Sequence, residues 1–196
     1  QEQIARISQE QEQAGPSAGL HIGYIGSIAP QKGIHILIDA VNQLPAQDIT
    51  LTLYGGLDAF PGYVAQLRHM ARHPGIRFAG RIARAEVWEA LAACDVVVMP
   101  TLWYESSPAV IDEVMAVRTP IIASHIGSMP EKIRHAKDGL LFPVGDAKAL
   151  AQILGGLHQS PNQLARLRAG IRPVRTMDEH VQDILDLYMA VLFPLL

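Results

Sequence analysis

Two glutamates, Glu105 and Glu113, lie in the stretch Met99-Pro-Thr-Leu-Trp-Tyr-Glu105-Ser-Ser-Pro-Ala-Val-Ile-Asp-Glu113. An apolar run, Asp95 to Met99, ends at Pro100, and Ser107-Pro108 opens a helical pattern. Serine is a favoured N-cap, and proline suits the first helical position because the N–H it lacks would be unpaired there. The next amides, Ala109 and Val110, then point out of a helix N-terminus, where peptide dipoles and free N–H groups favour an anion. Glu105 falls just before this helix and Glu113 nearly two turns into it, so both carboxylates surround one anion site. A carboxylate repels phosphate but accepts well from hydroxyls. The arrangement suits a ligand with phosphate in the middle and hydroxyls at both ends, such as a nucleotide-sugar. Taken alone, the two acids could equally be solvated side chains at a helix start.

The cation for such a phosphate is expected in the loop Gly26-Ser-Ile-Ala-Pro-Gln-Lys32-Gly33. Its glycines let the backbone approach a ligand closely, and Lys32 is a mobile charge beside a helix N-terminus. Alone, the loop is also an ordinary β–α turn with a surface lysine. The segment Ile76-Arg-Phe-Ala-Gly80-Arg81-Ile82 reads as a strand end with a tight turn.

The elements that must hold these loops alternate along the chain. Strands are expected at Leu20–Ile25, Ile49–Tyr54, Ile76–Ala79, Asp95–Met99, Pro120–Ser124 and Gly139–Pro143, with helical patterns between them. Asp146 reads as an N-cap, Ser160-Pro161 as another helix start, and Met177–Leu192 as a final helix with Leu185, Tyr188 and Val191 on one face. Short strands, apolar on both faces and separated by helices, predict a doubly wound α/β domain with a parallel sheet of about six strands. Ligands of such sheets bind at the carboxyl ends of the strands, where these loops lie.

The same segments carry a family resemblance. Glu105 and Glu113 within Pro-x4-Glu-Ser-Ser-Pro-x4-Glu resemble the E-x7-E signature of family 4 (group 1) retaining glycosyltransferases of the GT-B type. The first loop resembles that family's Gly-x6-Lys-Gly block, and Ile76–Ile82 its V-x-F-x-G-x-V segment. Pro120–Glu131 and Gly139–Asp146 resemble its P-V-I-A-x-x-x-G-G-x-P-E and G-L-L-F-x-x-G-D segments, extending the likeness over roughly residues 20–160. Three positions depart from the pattern: Ser27 where arginine is common, Gly127-Ser128 for a double glycine, and Arg118 where a glycine usually precedes the fifth strand.

The resemblance implies one Rossmann-like half of a GT-B fold, the donor-binding C-terminal one. Residues 1–18 would be a linker or tail with little apolar surface, 19–172 the nucleotide-sugar domain, and 173–196 a helix packing towards an N-terminal acceptor domain absent from this chain. Its apolar stripe would otherwise dimerise or fold back. Glu113 would grip the ribose, and Glu105 the transferred sugar, stabilising an oxocarbenium-like state. Lys32 and the Ala109 and Val110 amides would meet charge on the departing diphosphate, and backbone groups of Gly80, Arg81 and Ile82 would hold the base. Gly26, Ser27 and Ser107 complete the expected binding residues. Arg81 could offset the charge missing at Ser27.

Composition narrows the alternatives. Of 196 residues, 49% are hydrophobic, enough for a substantial core, and a net charge of −3 gives no reason to expect nucleic acid. One cysteine, Cys94, excludes an internal disulfide and suits a reducing, cytoplasmic setting. No apolar run approaches the ~20 residues of a membrane-spanning helix, no signal peptide opens the chain, and any membrane contact would lie in the absent domain. His69 and His73 have metal-compatible spacing but no third ligand, so both are expected to face solvent. Without an Asp-x-Asp motif, neither metal nor cofactor is expected beyond the nucleotide-diphosphate-sugar. Two other classes remain: a non-catalytic nucleotide-sugar-binding or regulatory module, and a dinucleotide-binding oxidoreductase domain, disfavoured because the first loop lacks G-x-G-x-x-G.

Overall fold

The computed structural model describes residues 2–13, 19–106 and 108–192. Six strands, β1 (Leu20–Ile25), β2 (Ile49–Tyr54), β3 (Ile76–Gly80), β4 (Val96–Met99), β5 (Ile121–Ser124) and β6 (Gly139–Phe142), form one sheet in the order β3-β2-β1-β4-β5-β6. Every pairing is parallel. This is the doubly wound, Rossmann-like α/β sheet expected from the sequence, and the strand order reverses direction between β1 and β4.

The helices are α1 (Glu2–Gln13), α2 (Ile34–Asn42), α3 (Pro61–Met70), α4 (Val87–Ala92), α5 (Ala109–Ala116), α6 (Met129–Lys132), α7 (Ala147–Gln159), α8 (Pro161–Gly170) and α9 (Met177–Leu192). Alternating side chains of the central strands feed two cores. Val96, Val98 and Ile122 join Leu37, Ile38 and Leu154 on one face. Val97, Ile121 and Ala123 join Leu91, Ile111 and Val114 on the other. β5 is therefore buried throughout, whereas β2 alternates buried Leu51 and Leu53 with half-buried Thr50 and Thr52. Burial on both faces holds for the centre of the sheet but not for β2 and β3, which contribute no buried residue to the second core.

Local signals account for several boundaries. The Asp146 side chain accepts from the Ala149 amide at 2.8 Å, capping α7 as expected. Pro161 starts α8, but Ser160 makes no side-chain cap. Thr176 and Glu179 form a reciprocal capping box at the start of α9, with Thr176 N donating to Glu179 Oε2 at 2.7 Å and Glu179 N to Thr176 Oγ1 at 3.2 Å.

The N-terminal stretch differs from the expected tail. Residues 2–13 are helical because Ile7 finds a place in the second core, where it is 4% exposed beside Val87 and Leu91. The Gln11 amide also donates to Ala92 O at 2.5 Å. At the other end no residue of α9 is buried, and Leu185, Tyr188 and Val191 stay exposed rather than folding back onto the sheet. Among the described residues, no helix is long and apolar enough to cross a membrane.

Candidate functional site

The loops after β1 and β4 part at the strand-order reversal, and a cavity of about 260 Å³ lies between them. Its walls include Gly26, Ser27, Lys32, Glu105, Ala109, Val110 and Glu113. Residues expected to act together from separate parts of the chain thus converge on one space. Gly33 allows the close approach: its φ is 69°, and a Cβ there would lie 1.9 Å from the Pro100 carbonyl oxygen. The Leu102 amide seals the contact by donating to Gln31 O at 2.9 Å. Across the loop, the Tyr24 hydroxyl donates to Ser27 O at 2.8 Å. Burial, with Tyr63 and Glu105 nearby, pushes the Tyr24 phenol far above its ordinary value, so it stays a donor.

Glu105 is the best-supported side chain in the cavity. Its Oε1 accepts from Lys32 Nζ, from Trp103 Nε1 at 3.1 Å and from Thr101 Oγ1 at 3.5 Å. Burial raises its pKa, but the Lys32 and Trp103 hydrogen bonds, the Lys32 charge and the Thr101 hydroxyl together hold it below 4.5. The sequence placed Lys32 on phosphate and did not anticipate this ion pair with the carboxylate.

The backbone of Glu105 is seated by the loop between β5 and α6. Ser128 N and Oγ both donate to Glu105 O, at 3.2 and 2.9 Å. Gly127, with φ 58°, lies so close that a Cβ would stand 2.9 Å from both N and O of Glu105. The serine in place of a second glycine is therefore part of the support for Glu105. Gly127→Ala is expected to cost about 1–3 kcal/mol, from the left-handed backbone and this overpacking, read as a lower midpoint in urea denaturation.

α5 begins at Ala109, with Pro108 at the N-cap and no side-chain cap. This corrects the expected start by one residue: Pro108 adopts an extended ψ of 114°, so it precedes the helix rather than opening it. Ser107 lies outside the described residues. The Ala109 and Val110 amides occupy the first two helical positions, where an α-helix offers no internal acceptor, and both residues line the cavity. Glu113 joins them one turn on, its Oε1 2.5 Å from Arg84 Nη1. Sequence reasoning passed over Arg84.

A second cavity of about 310 Å³ shares Gly26 and Ser27 with the first and reaches Gly55, Arg81 and Ile82. The pairing of β2 with β3 shifts between Leu53 and Tyr54, which brings Tyr54 opposite Gly80 and turns the chain at a φ of 78°. Gly80 supports this rim through its carbonyl, which accepts from Gly55 N at 2.9 Å, but does not line the cavity. Arg81 does line it, on the same wall system as exposed Ser27, and lies 3.7 Å from Asp58.

The remaining departures are structural. Arg118 adopts φ 61°, the conformation glycine would take, and its Nη1 donates to Ile171 O at 2.5 Å. His69 is exposed as expected, but His73 is buried: its Nε2 lies 2.9 Å from Pro45 O and its Nδ1 accepts from Gly75 N at 3.1 Å. Cys94 is buried and its thiol pushed up to about 12 by burial and by Asp95, in keeping with a packing role. Among the described residues, no group of three or more His, Cys, Asp or Glu side chains is arranged to hold a metal ion.

A doubly wound parallel sheet with a crevice at its reversal point defines a Rossmann-like α/β domain. Residues 19–160 match the family model for glycosyl transferases group 1, and the chain belongs to that family. It is 32% identical to phosphatidyl-myo-inositol mannosyltransferase of Mycobacterium leprae over 201 residues, covering 96% of this chain and 51% of the other. It is 29% identical to D-inositol 3-phosphate glycosyltransferase of Xylanimonas cellulosilytica, covering 84% and 41%. The Anabaena protein Alr3699/HepE, solved in complex with UDP-glucose, superposes with a TM-score of 0.76 at 26% identity, over 93% of this chain and 52% of the other. The chain thus spans about half the length of these relatives.

Proposed function

We propose that this chain is the donor-binding, C-terminal half of a retaining glycosyltransferase that transfers a sugar from a nucleotide-diphosphate-sugar. The observation that carries the reading is the convergence of Lys32, Glu105, Glu113 and the start of α5 on one cavity at the β1/β4 crevice. Glu113 accepts from the ribose hydroxyls and Glu105 from those of the transferred sugar. The rim at Gly80, Arg81 and Ile82 holds the base by backbone groups. The Ala109 and Val110 amides and Lys32 offset charge gathering on the diphosphate as the glycosidic bond breaks. In this reading Glu105, whose Oε1 accepts from three donors, acts by stabilising an oxocarbenium-like sugar rather than as a nucleophile. The acceptor is bound by an N-terminal half outside this chain, and turnover requires it.

Thermal unfolding with UDP-, GDP- and ADP-sugars tests the reading, the UDP-sugar first because the Anabaena relative is described with UDP-glucose. At a hundred times its dissociation constant a donor adds about 2.7 kcal/mol, roughly 5–11 °C for a chain of this size. That shift is expected with one nucleotide class and is lost in Glu113→Ala. No shift with any class would overturn the donor site. Exposed Ser27, where the family commonly has arginine, favours one second reading, a module that binds the donor without transferring the sugar. Binding by a protein that also carries the acceptor half, with no transfer, would select it.

A further inference from the structure

Glu113 stands between two spaces. Together with Ala109 it lines the site cavity, and both also line a wider groove of about 880 Å³ on the far side of α5. Arg84 lines only the groove. It opens a single 3₁₀ turn, Arg84–Glu86, directly after the Gly80–Ile82 rim. That turn is pinned by Glu86, whose Oε2 accepts from Ala83 N at 2.8 Å and whose own N donates to Ala83 O at 3.0 Å. The guanidinium lies 5.2 Å from the centroid of the Trp88 ring. From this platform Nη1 reaches Glu113 Oε1 at 2.5 Å. The pair is lopsided: the Glu113 side chain is 17% exposed and that of Arg84 67%.

We propose that Arg84 is a positioning residue for Glu113, fixing its carboxylate from the groove side so that the second oxygen serves a vicinal diol in the cavity. The inference rests on the donor-site reading above and deepens it, because it makes preference for a ribose over a deoxygenated sugar depend on Arg84. A carboxylate held by a guanidinium seated on an aromatic ring spends less conformational freedom on meeting a ligand. The Arg84 contact is made through Glu113 Oε1, which leaves Oε2 to accept from a hydroxyl.

The test is calorimetric titration of the full chain with UDP and with 2′,3′-dideoxy-UDP, repeated with the guanosine and adenosine pairs. The unaltered protein is expected to favour the diol by at least about tenfold, as hydrogen bonds to a charged group do. Arg84→Ala weakens UDP by about three- to fivefold, the scale of a partly exposed ion pair, and leaves dideoxy-UDP within about twofold. Arg84→Lys recovers part of the difference. In a Glu113→Gln background, Arg84→Ala changes neither affinity further. Equal weakening of both ligands by Arg84→Ala would overturn the proposal, since a general charge or folding effect does that, and so would no weakening of either. Melting temperatures without ligand identify a folding effect. If the unaltered chain binds no nucleotide at all, the donor-site reading itself fails and this inference falls with it.

Discussion

Gly33→Ala is expected to destabilise the chain by about 2–5 kcal/mol and to open the site cavity. Two terms add. An alanine held at φ 69° and ψ 22° carries roughly 1–2 kcal/mol of left-handed strain. Its Cβ would also stand 1.9 Å from the Pro100 oxygen and 3.0 Å from the Pro100 carbon, backbone atoms that yield only if the two loops separate. Overpacking of that kind costs about 1–3 kcal/mol. Separation would stretch the Leu102 N to Gln31 O bond and the weaker contact of buried Thr101 with the same oxygen. Since Thr101 and Trp103 also brace Glu105, the damage passes to the carboxylate. A fall in melting temperature of roughly 4–20 °C is the expected reading, together with loss of any nucleotide-induced shift. An unchanged melting temperature would show that the β1 and β4 loops can part freely, against the geometry described.

The ends of the strands were readable because glycine and proline punctuate them. Tyr54-Gly55, Gly80-Arg81 and Met99-Pro100 are each an apolar run meeting a residue that stops or turns it, and the loops that follow line the cavities. Lys32, Glu105 and Glu113 were readable for a different reason: polar groups at strand ends and at a helix start have few purposes in a buried sheet. What escaped were partners set by tertiary approach. Arg84 meets Glu113 from a turn that looks like any solvent-exposed loop, and nothing local marks which of two nearby arginines, Arg81 or Arg84, does so. Ile7 is a lone buried apolar side chain in a polar run, too weak a period to distinguish a docked helix from a tail. His73 reads as half of an exposed pair until Pro45 and Gly75 take its two ring nitrogens. Ser128 for glycine looks like a neutral departure, yet its hydroxyl holds the Glu105 carbonyl.

Lys32→Met should weaken nucleotide binding by about ten- to a hundredfold, the scale of a charge-assisted hydrogen bond of 1.5–3 kcal/mol. It should also change how stability depends on pH. Methionine keeps most of the hydrocarbon volume and removes the ammonium, so Glu105 loses its strongest donor and its cation together. Burial then dominates, and the Glu105 pKa, now held below 4.5, rises. A carboxyl whose folded pKa is depressed contributes stability above its unfolded value, and that contribution disappears as pH falls through the folded one. The variant is therefore expected to be less stable at pH 7 by about 1–3 kcal/mol, for a half-buried acceptor left without its main partner. As pH falls through the folded Glu105 value the two proteins should converge, because the carboxyl is then protonated with or without Lys32. Urea denaturation from pH 7 downwards separates the causes: a gap at pH 7 that closes in acid assigns the effect to the ion pair. An equal gap throughout would assign it to the lysine stem packing against its neighbours. The same substitution that costs binding at neutral pH should cost it most where Glu105 is ionised, since Lys32 must serve the carboxylate and the diphosphate at once.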